Sequence, residues 1–237
     1  MQRNYVRWHS PHLGRDMEML TFGHAGTPVV VFPSSMGRFY EWEDFKMIDA
    51  LSEKIDAGYN RVFCLDSVDA ESFYNKAVDP FTRIRRHQQY EAYVMREVLP
   101  HVQHTSGNGY VIATGASFGG YHAANLYFKY PGSFGKLISL SGAYDLTSFL
   151  DGFYNDDVYF SSPAHFVRNL NDPGVLHTLR QGQVVLTTGE FDPCRDANED
   201  LAGVLRAKDI PVTLDFAPGE FAHDWPWWRA QIAQHIV

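Results

Sequence analysis

The residues of this chain best suited to chemistry are Ser117, Asp192 and His223, and they occur in that order. A serine hydroxyl becomes a useful nucleophile when a histidine takes its proton, and the histidine needs an acid to orient it. Serine, then acid, then histidine is the chain order expected of a triad on an alternating strand-and-helix scaffold. Ser117 lies in Gly115-Ala116-Ser117-Phe118-Gly119-Gly120, after the apolar run Tyr110–Thr114 and before the helix-like Tyr121–Phe128. A strand, a glycine-flanked serine and a helix together spell a nucleophile elbow. The turn is so tight that side chains two before and two after the serine would strike neighbouring backbone, and glycine has no Cβ to do so. The serine Oγ then projects beside a helix N-terminus, where free N–H groups and the helix dipole favour developing negative charge.

The acid and the base are sought at other strand ends. After Val184–Thr187 comes Gly189-Glu190-Phe191-Asp192-Pro193. Asp192, followed by a proline that fixes the turn, is the first candidate for the acid, and Glu190 is the second. Asp196, Glu199 and Asp200 fall in the next helix and read as charges near its N-terminus. After Val212–Phe216 comes a loop from Ala217 to Trp225 that carries His223 directly before the closing helix. Of the eleven histidines this is the best placed base. His122 is too close in sequence to swing back over Ser117 and reads as a packing or polar contact. Pro100 interrupts the stretch before His101 and His104, which have no carboxylate at metal-ligand spacing. Neither a metal nor a cofactor is expected. An oxyanion hole needs two backbone N–H groups. Phe118, just after the nucleophile, supplies one; Ser35, in the loop Pro33-Ser34-Ser35-Met36-Gly37, is the candidate for the other.

These residues need a scaffold, and the sequence describes one. Val29–Phe32, Arg61–Leu65, Tyr110–Thr114, Lys136–Leu140 and Val184–Thr187 are short apolar runs of the kind buried on both faces of a parallel sheet. Met17–Phe22 and Val212–Phe216 read as further strands. Trp42–Ile55, Phe81–Leu99, Phe118–Tyr130, Cys194–Leu205 and Trp225–Val237 show helical spacing, with Pro226 tolerated in a first turn. Repeated strand–helix units imply right-handed crossovers and a mostly parallel sheet flanked by helices on both faces. The expectation is one α/β domain over residues 1–237. The stretch 141–179, rich in turn formers and aromatics, is a possible cap-like insertion over the strand ends; the alternative is a packing excursion that only covers the core.

Composition narrows the partners. The formal net charge of -8 disfavours nucleic acid. The basic cluster Arg83-Ile84-Arg85-Arg86-His87 reads as a solvated helix face. No apolar run approaches the roughly 20 residues needed to span a bilayer, and the first residues lack the apolar core of a secretion signal. Cys64 and Cys194 read as free thiols, which fits a cytoplasmic protein.

The same motifs resemble the esterase D-like branch of the α/β-hydrolases, over most of the chain. Ser10-Pro11-His12-Leu13-Gly14-Arg15 is similar to the entry segment of that family. Val29 to Trp42 resembles its strand, oxyanion loop and tryptophan, Gly115 to Gly120 its nucleophile motif, Gly189 to Asp192 its acid loop, and His223 to Trp228 its histidine-containing ending. Where relatives usually carry His-Gly, this chain has Pro33-Ser34. The resemblance implies an α/β-hydrolase fold. It also implies serine carboxylesterase chemistry on a small soluble ester, through an acyl-enzyme on Ser117, His223 and Asp192. An acyltransferase or peptidase using the same residues, or a binding protein that keeps the fold without turnover, are the alternatives.

Overall fold

The computed structural model describes residues 1–217, 219 and 223–236. Within them eight strands form one sheet in the order β1-β2-β4-β3-β5-β6-β7-β8. The strands are β1 (Arg3–Ser10), β2 (Arg15–Phe22), β3 (Thr27–Phe32), β4 (Asn60–Leu65), β5 (Ile112–Ala116), β6 (Lys136–Leu140), β7 (Gln183–Gly189) and β8 (Val212–Ala217). β3 through β8 are mutually parallel, and β1 and β2 join antiparallel at one edge. The helices α1 (Pro80–Tyr93), α2 (Leu99–Ser106), α3 (Phe118–Lys129), α4 (Pro173–Gln181), α5 (Arg195–Ala207) and α6 (Trp225–His235) cover the sheet.

Period-two alternation along the strands divides the core into two layers. In β3, Val30 and Phe32 join the apolar side chains of α1, α2, α3 and α5. Val29 and Val31 point the other way, to Trp42, Met47, Leu51, Ile55 and the α6 residues Trp228 and Ile232. Both faces of the central strands are thereby buried, as the uninterrupted apolar runs require. No helix among the described residues is long and apolar enough to cross a membrane.

The structure differs from the sequence expectation in four places. β1 was not expected; it alternates exposed and partly buried residues along an edge strand instead of forming an apolar run. The helix expected over Trp42–Ile55 is three short helices, Glu41–Asp44, Met47–Ala50 and Ser52–Asp56. Lys46 between them has φ 64°, a left-handed residue that an α-helix cannot continue through. Pro100 does not stop the helical stretch. A π turn over Val94–Val98 follows α1, and Pro100 falls in the first turn of α2, where its missing N–H is tolerated. Finally, Arg83 and His87 are buried and not part of a solvated face, because each meets polar groups from neighbouring segments.

The stretch 141–179 follows β6 and carries a 3₁₀ turn at Thr147–Leu150, short helices at Asp156–Tyr159 and Pro163–Phe166, and α4. Its Leu146, Leu150 and Val158 pack with Phe73, Ile84, Tyr121 and Phe118. Arg83 fastens it, donating from Nη1 to the Phe149 carbonyl at 2.9 Å and pairing through Nη2 with Asp151.

Candidate active site

Ser117 stands one residue beyond β5 and caps α3, with φ 56° and ψ −119°. A non-glycine residue in this region carries strain of about 1–3 kcal/mol, sustained only where the surroundings over-determine it. They do so here. The Ser117 N–H donates to the Leu140 carbonyl at the end of β6, 2.8 Å away. The neighbouring glycines make room. A Cβ on Gly115 would lie 2.7 Å from the Phe32 carbonyl oxygen, and one on Gly119 would lie 2.7 Å from that of Pro33. Crowding of backbone against backbone therefore dictates both glycines. Gly120 is restricted as well, since its Cβ would meet the Ser139 hydroxyl at 2.7 Å.

Three distant stretches meet at this serine. His223 Nε2 lies 2.8 Å from Ser117 Oγ, and His223 Nδ1 lies 2.9 Å from Asp192 Oδ1. Asp192 sits in the turn after β7 with its carboxylate shut off from solvent, while the His223 side chain keeps 23% of its surface exposed. Proton bookkeeping assigns the tautomer: Nδ1–H donates to Asp192, leaving the Nε2 lone pair to accept from the serine hydroxyl. Asp192 is well supplied with donors. The Cys194 N–H donates to Oδ1 at 2.8 Å and the Thr188 hydroxyl to Oδ2 at 3.2 Å. Burial alone would raise the Asp192 pKa. Hydrogen bonds from His223, the Ser141 hydroxyl and the Cys194 N–H outweigh it and hold the carboxyl below its ordinary value. The His223 ring also rests edge-on against Trp228, at 4.9 Å between centroids, and Trp228 Nε1 donates to Ser141 Oγ at 2.9 Å.

Glu190, the second candidate for the acid, is not on His223; its Oε2 accepts the Gly219 N–H at 3.1 Å. Pro218 and Glu220–Ala222 in the histidine loop, and Val237 at the end of the expected closing helix, lie outside the described residues. His122 is buried against Asp69, with Nε2 3.0 Å from Oδ1.

Phe118 follows the serine in the elbow, and Ser35 lies in the loop after β3, whose Pro33 carbonyl closes on Gly119. Among the described residues, neither backbone N–H has an acceptor. The loop carrying Ser35 is held by acids that the sequence did not single out. Glu41 Oε2 accepts the Ser34 N–H at 2.7 Å and Oε1 the Ser34 hydroxyl at 2.6 Å. Asp69 Oδ2 accepts the Met36 N–H at 3.3 Å, and Met36 itself has φ 57°. Burial holds the Glu41 carboxyl above its ordinary value against the opposing pull of those Ser34 bonds. Tyr74 also escaped notice: its hydroxyl donates to Ser35 Oγ at 2.8 Å, and its ring meets Phe118 and Phe149 edge-on. An isolated acid or tyrosine that acts by holding a loop has no spacing signature, so no sequence pattern pointed to them.

Solved structures of known proteins share this fold. A ferulic acid esterase superposes with TM-score 0.77 at 15% identity, over 100% of this chain and 97% of its own. The S-formylglutathione hydrolase of Agrobacterium tumefaciens superposes with TM-score 0.73 at 16% identity, over 98% and 92%. That of Staphylococcus aureus gives 0.71 at 17%, over 99% and 95%. At such identities the likeness speaks for the fold, which is that of the α/β-hydrolases. The comparison with curated proteins finds no match. The family model described as "Putative esterase" matches residues 10–236. By that match the chain belongs to this esterase family and is a serine carboxylic ester hydrolase.

Proposed function

We propose that this protein hydrolyses a small soluble carboxylic ester through an acyl-enzyme on Ser117, with His223 as base and Asp192 as its orienting acid. The observation that carries the reading is the unbroken hydrogen-bonded run Ser117 Oγ–His223 Nε2 and His223 Nδ1–Asp192, at 2.8 and 2.9 Å. Ser117 Oγ attacks the ester carbonyl as His223 Nε2 takes its proton, and buried Asp192 stabilises the imidazolium. The Phe118 and Ser35 N–H groups receive the oxyanion. His223 then protonates the departing alcohol, and a water repeats the sequence to release the acid. The stretch 141–179 serves as a cap-like wall, its Phe149 standing beside Tyr74 and Phe118. The solved structures of similar fold are named for ferulic acid esters and S-formylglutathione, so esters and thioesters of small acids form the first substrate panel.

The test is hydrolysis of a short-chain p-nitrophenyl ester by the purified protein, together with labelling of Ser117 by a fluorophosphonate. Ser117→Ala should abolish labelling and lower kcat by roughly 10⁴-fold or more. Ser117→Ala turnover equal to the parent's refutes the assignment. Absence of labelling favours a binding role without turnover. Added alcohol or amine acceptors that capture the acyl group in place of water would make the protein a transferase.

A further inference from the structure

Beside the proposed acid and base lies a thiol that the hydrolytic reading does not use. Cys194 follows Asp192 by two residues and is half-buried, whereas Cys64, the other cysteine, is sealed in the core. One ligand atom each from Asp192, Cys194 and His223 lie within 4.8 Å of one another. A thiolate, an imidazole and a carboxylate form a donor set suited to Zn²⁺ and other thiophilic divalent cations. A tetrahedral zinc with bonds of about 2.0–2.3 Å holds its ligand atoms roughly 3.5 Å apart. Closing the cluster on an ion therefore takes side-chain rotations of about an ångström. His223 Nδ1 is the nitrogen on the Asp192 side, and Nε2 faces Ser117.

We propose that Asp192, Cys194 and His223 Nδ1 form an inhibitory binding site for a thiophilic divalent cation, which switches off the proposed base. The proposal rests on the hydrolytic reading of the same histidine. On binding, the Cys194 S–H bond breaks and a metal–sulfur bond forms, with the proton lost to solvent. At His223 a metal–nitrogen bond forms at Nδ1 as the Nδ1–H bond breaks, and that proton passes through solvent to Nε2, so the ring stays neutral and its one N–H bond is now at Nε2. A neutral imidazole metallated at Nδ1 and protonated at Nε2 has no lone pair to accept the proton of Ser117. Thiolate and carboxylate together balance the charge of the dication, and water completes the coordination. No residue is oxidised or reduced.

The metal alone is the probe. Metal-free wild type, Cys194→Ser and Cys194→Ala are each titrated with Cd²⁺, followed by the ultraviolet thiolate-to-cadmium charge-transfer band. They are titrated separately with Zn²⁺ during p-nitrophenyl acetate hydrolysis. Wild type should develop the band and lose turnover, and a chelator should restore it. Both variants should lack the band, Cys64 serving as the internal control thiol. Loss of even an outer-shell partner costs about 10–100-fold in metal affinity. The variants should therefore need at least about tenfold more Zn²⁺, each relative to its own uninhibited rate. A band that survives in the variants, or a metal-loaded wild type that turns over at full rate, overturns the proposal. Fluorophosphonate labelling of metal-free wild type separates the two readings. Labelling without a band sinks the metal site alone, and absence of labelling sinks the acyl-enzyme reading and the inhibition with it.

Discussion

Gly119 has no space for a methyl group: its Cβ would press on the backbone oxygens of Phe32 and Pro33, neither of which has a flexible end to move. Gly119→Ala must shift the end of β3, the loop that carries Ser35, or the start of α3. A misplacement of about an ångström can cost 10²-fold in rate, so kcat/KM for p-nitrophenyl acetate should fall by about that factor. Thermal unfolding distinguishes displacement from loss of fold, and an unchanged rate contradicts the crowding argument. Glu41 acts on the same loop from its other side. Glu41→Gln keeps the size but turns an amide N–H₂ toward a Ser34 donor. A lower kcat with little change in KM is expected, since the bonds fix the loop and touch no substrate. A change confined to KM would contradict this. Ser117, Asp192 and His223 were legible because each joins a reactive type to the end of an apolar run. Glu41 was not, because its contribution passes through another residue's backbone.

Among the elements, legibility followed burial. β3, β5 and β6 are buried almost throughout and stand out as apolar runs. β1 has one half-wet face, and its register against β2 is reinforced by surface pairs such as Arg7–Asp16 and Tyr5–Glu18. A two-residue alternation of Tyr5, Arg7 and His9 with Val6 and Trp8 was its one signal. The breaks in the stretch 41–56 have none, because they depend on fitting Trp42, Met47 and Leu51 onto a twisted sheet. The turn at Thr147–Leu150 is held from outside itself. Asp151 accepts from Lys76 at 2.9 Å and pairs with Arg83, which also holds the Phe149 carbonyl. Asp151→Ala should free this turn and the Phe149 ring. KM for bulky aromatic esters should rise a few-fold while acetate turnover stays unchanged. Equal effects on both substrates would show that the turn does not wall the site.

Across the whole molecule, one buried polar network joins α1, α3 and the stretch 141–179 behind the elbow. Glu91 accepts from Asn125 at 2.6 Å and from Lys129 at 2.7 Å, and His87 Nε2 lies 3.1 Å away. His87 in turn meets Tyr121, whose hydroxyl donates to the Ser161 carbonyl at 2.9 Å. Burial pushes the Glu91 carboxyl up, but His87 and Lys129 outweigh it and bring it down to about 2. The sign of the consequence follows from proton linkage. Between its ordinary value of 4.5 and about 2, the unfolded chain binds a proton at Glu91 that the folded chain refuses. The stabilisation from Glu91 is therefore complete above that window and is lost as pH falls through it. Glu91→Gln removes the charge and leaves Lys129 and His87 without their partner, for which a loss of about 3 kcal/mol at neutral pH is expected. Urea denaturation measured at several pH values checks both parts. The variant should be less stable at pH 7 and should lose less on acidification than the parent, and parallel pH dependences for the two proteins would place the acid sensitivity elsewhere. Because Tyr121 of this network packs against the Phe118 ring, at 4.9 Å between centroids, its loosening should lower ester turnover before the fold is lost, so activity should decline ahead of the unfolding transition.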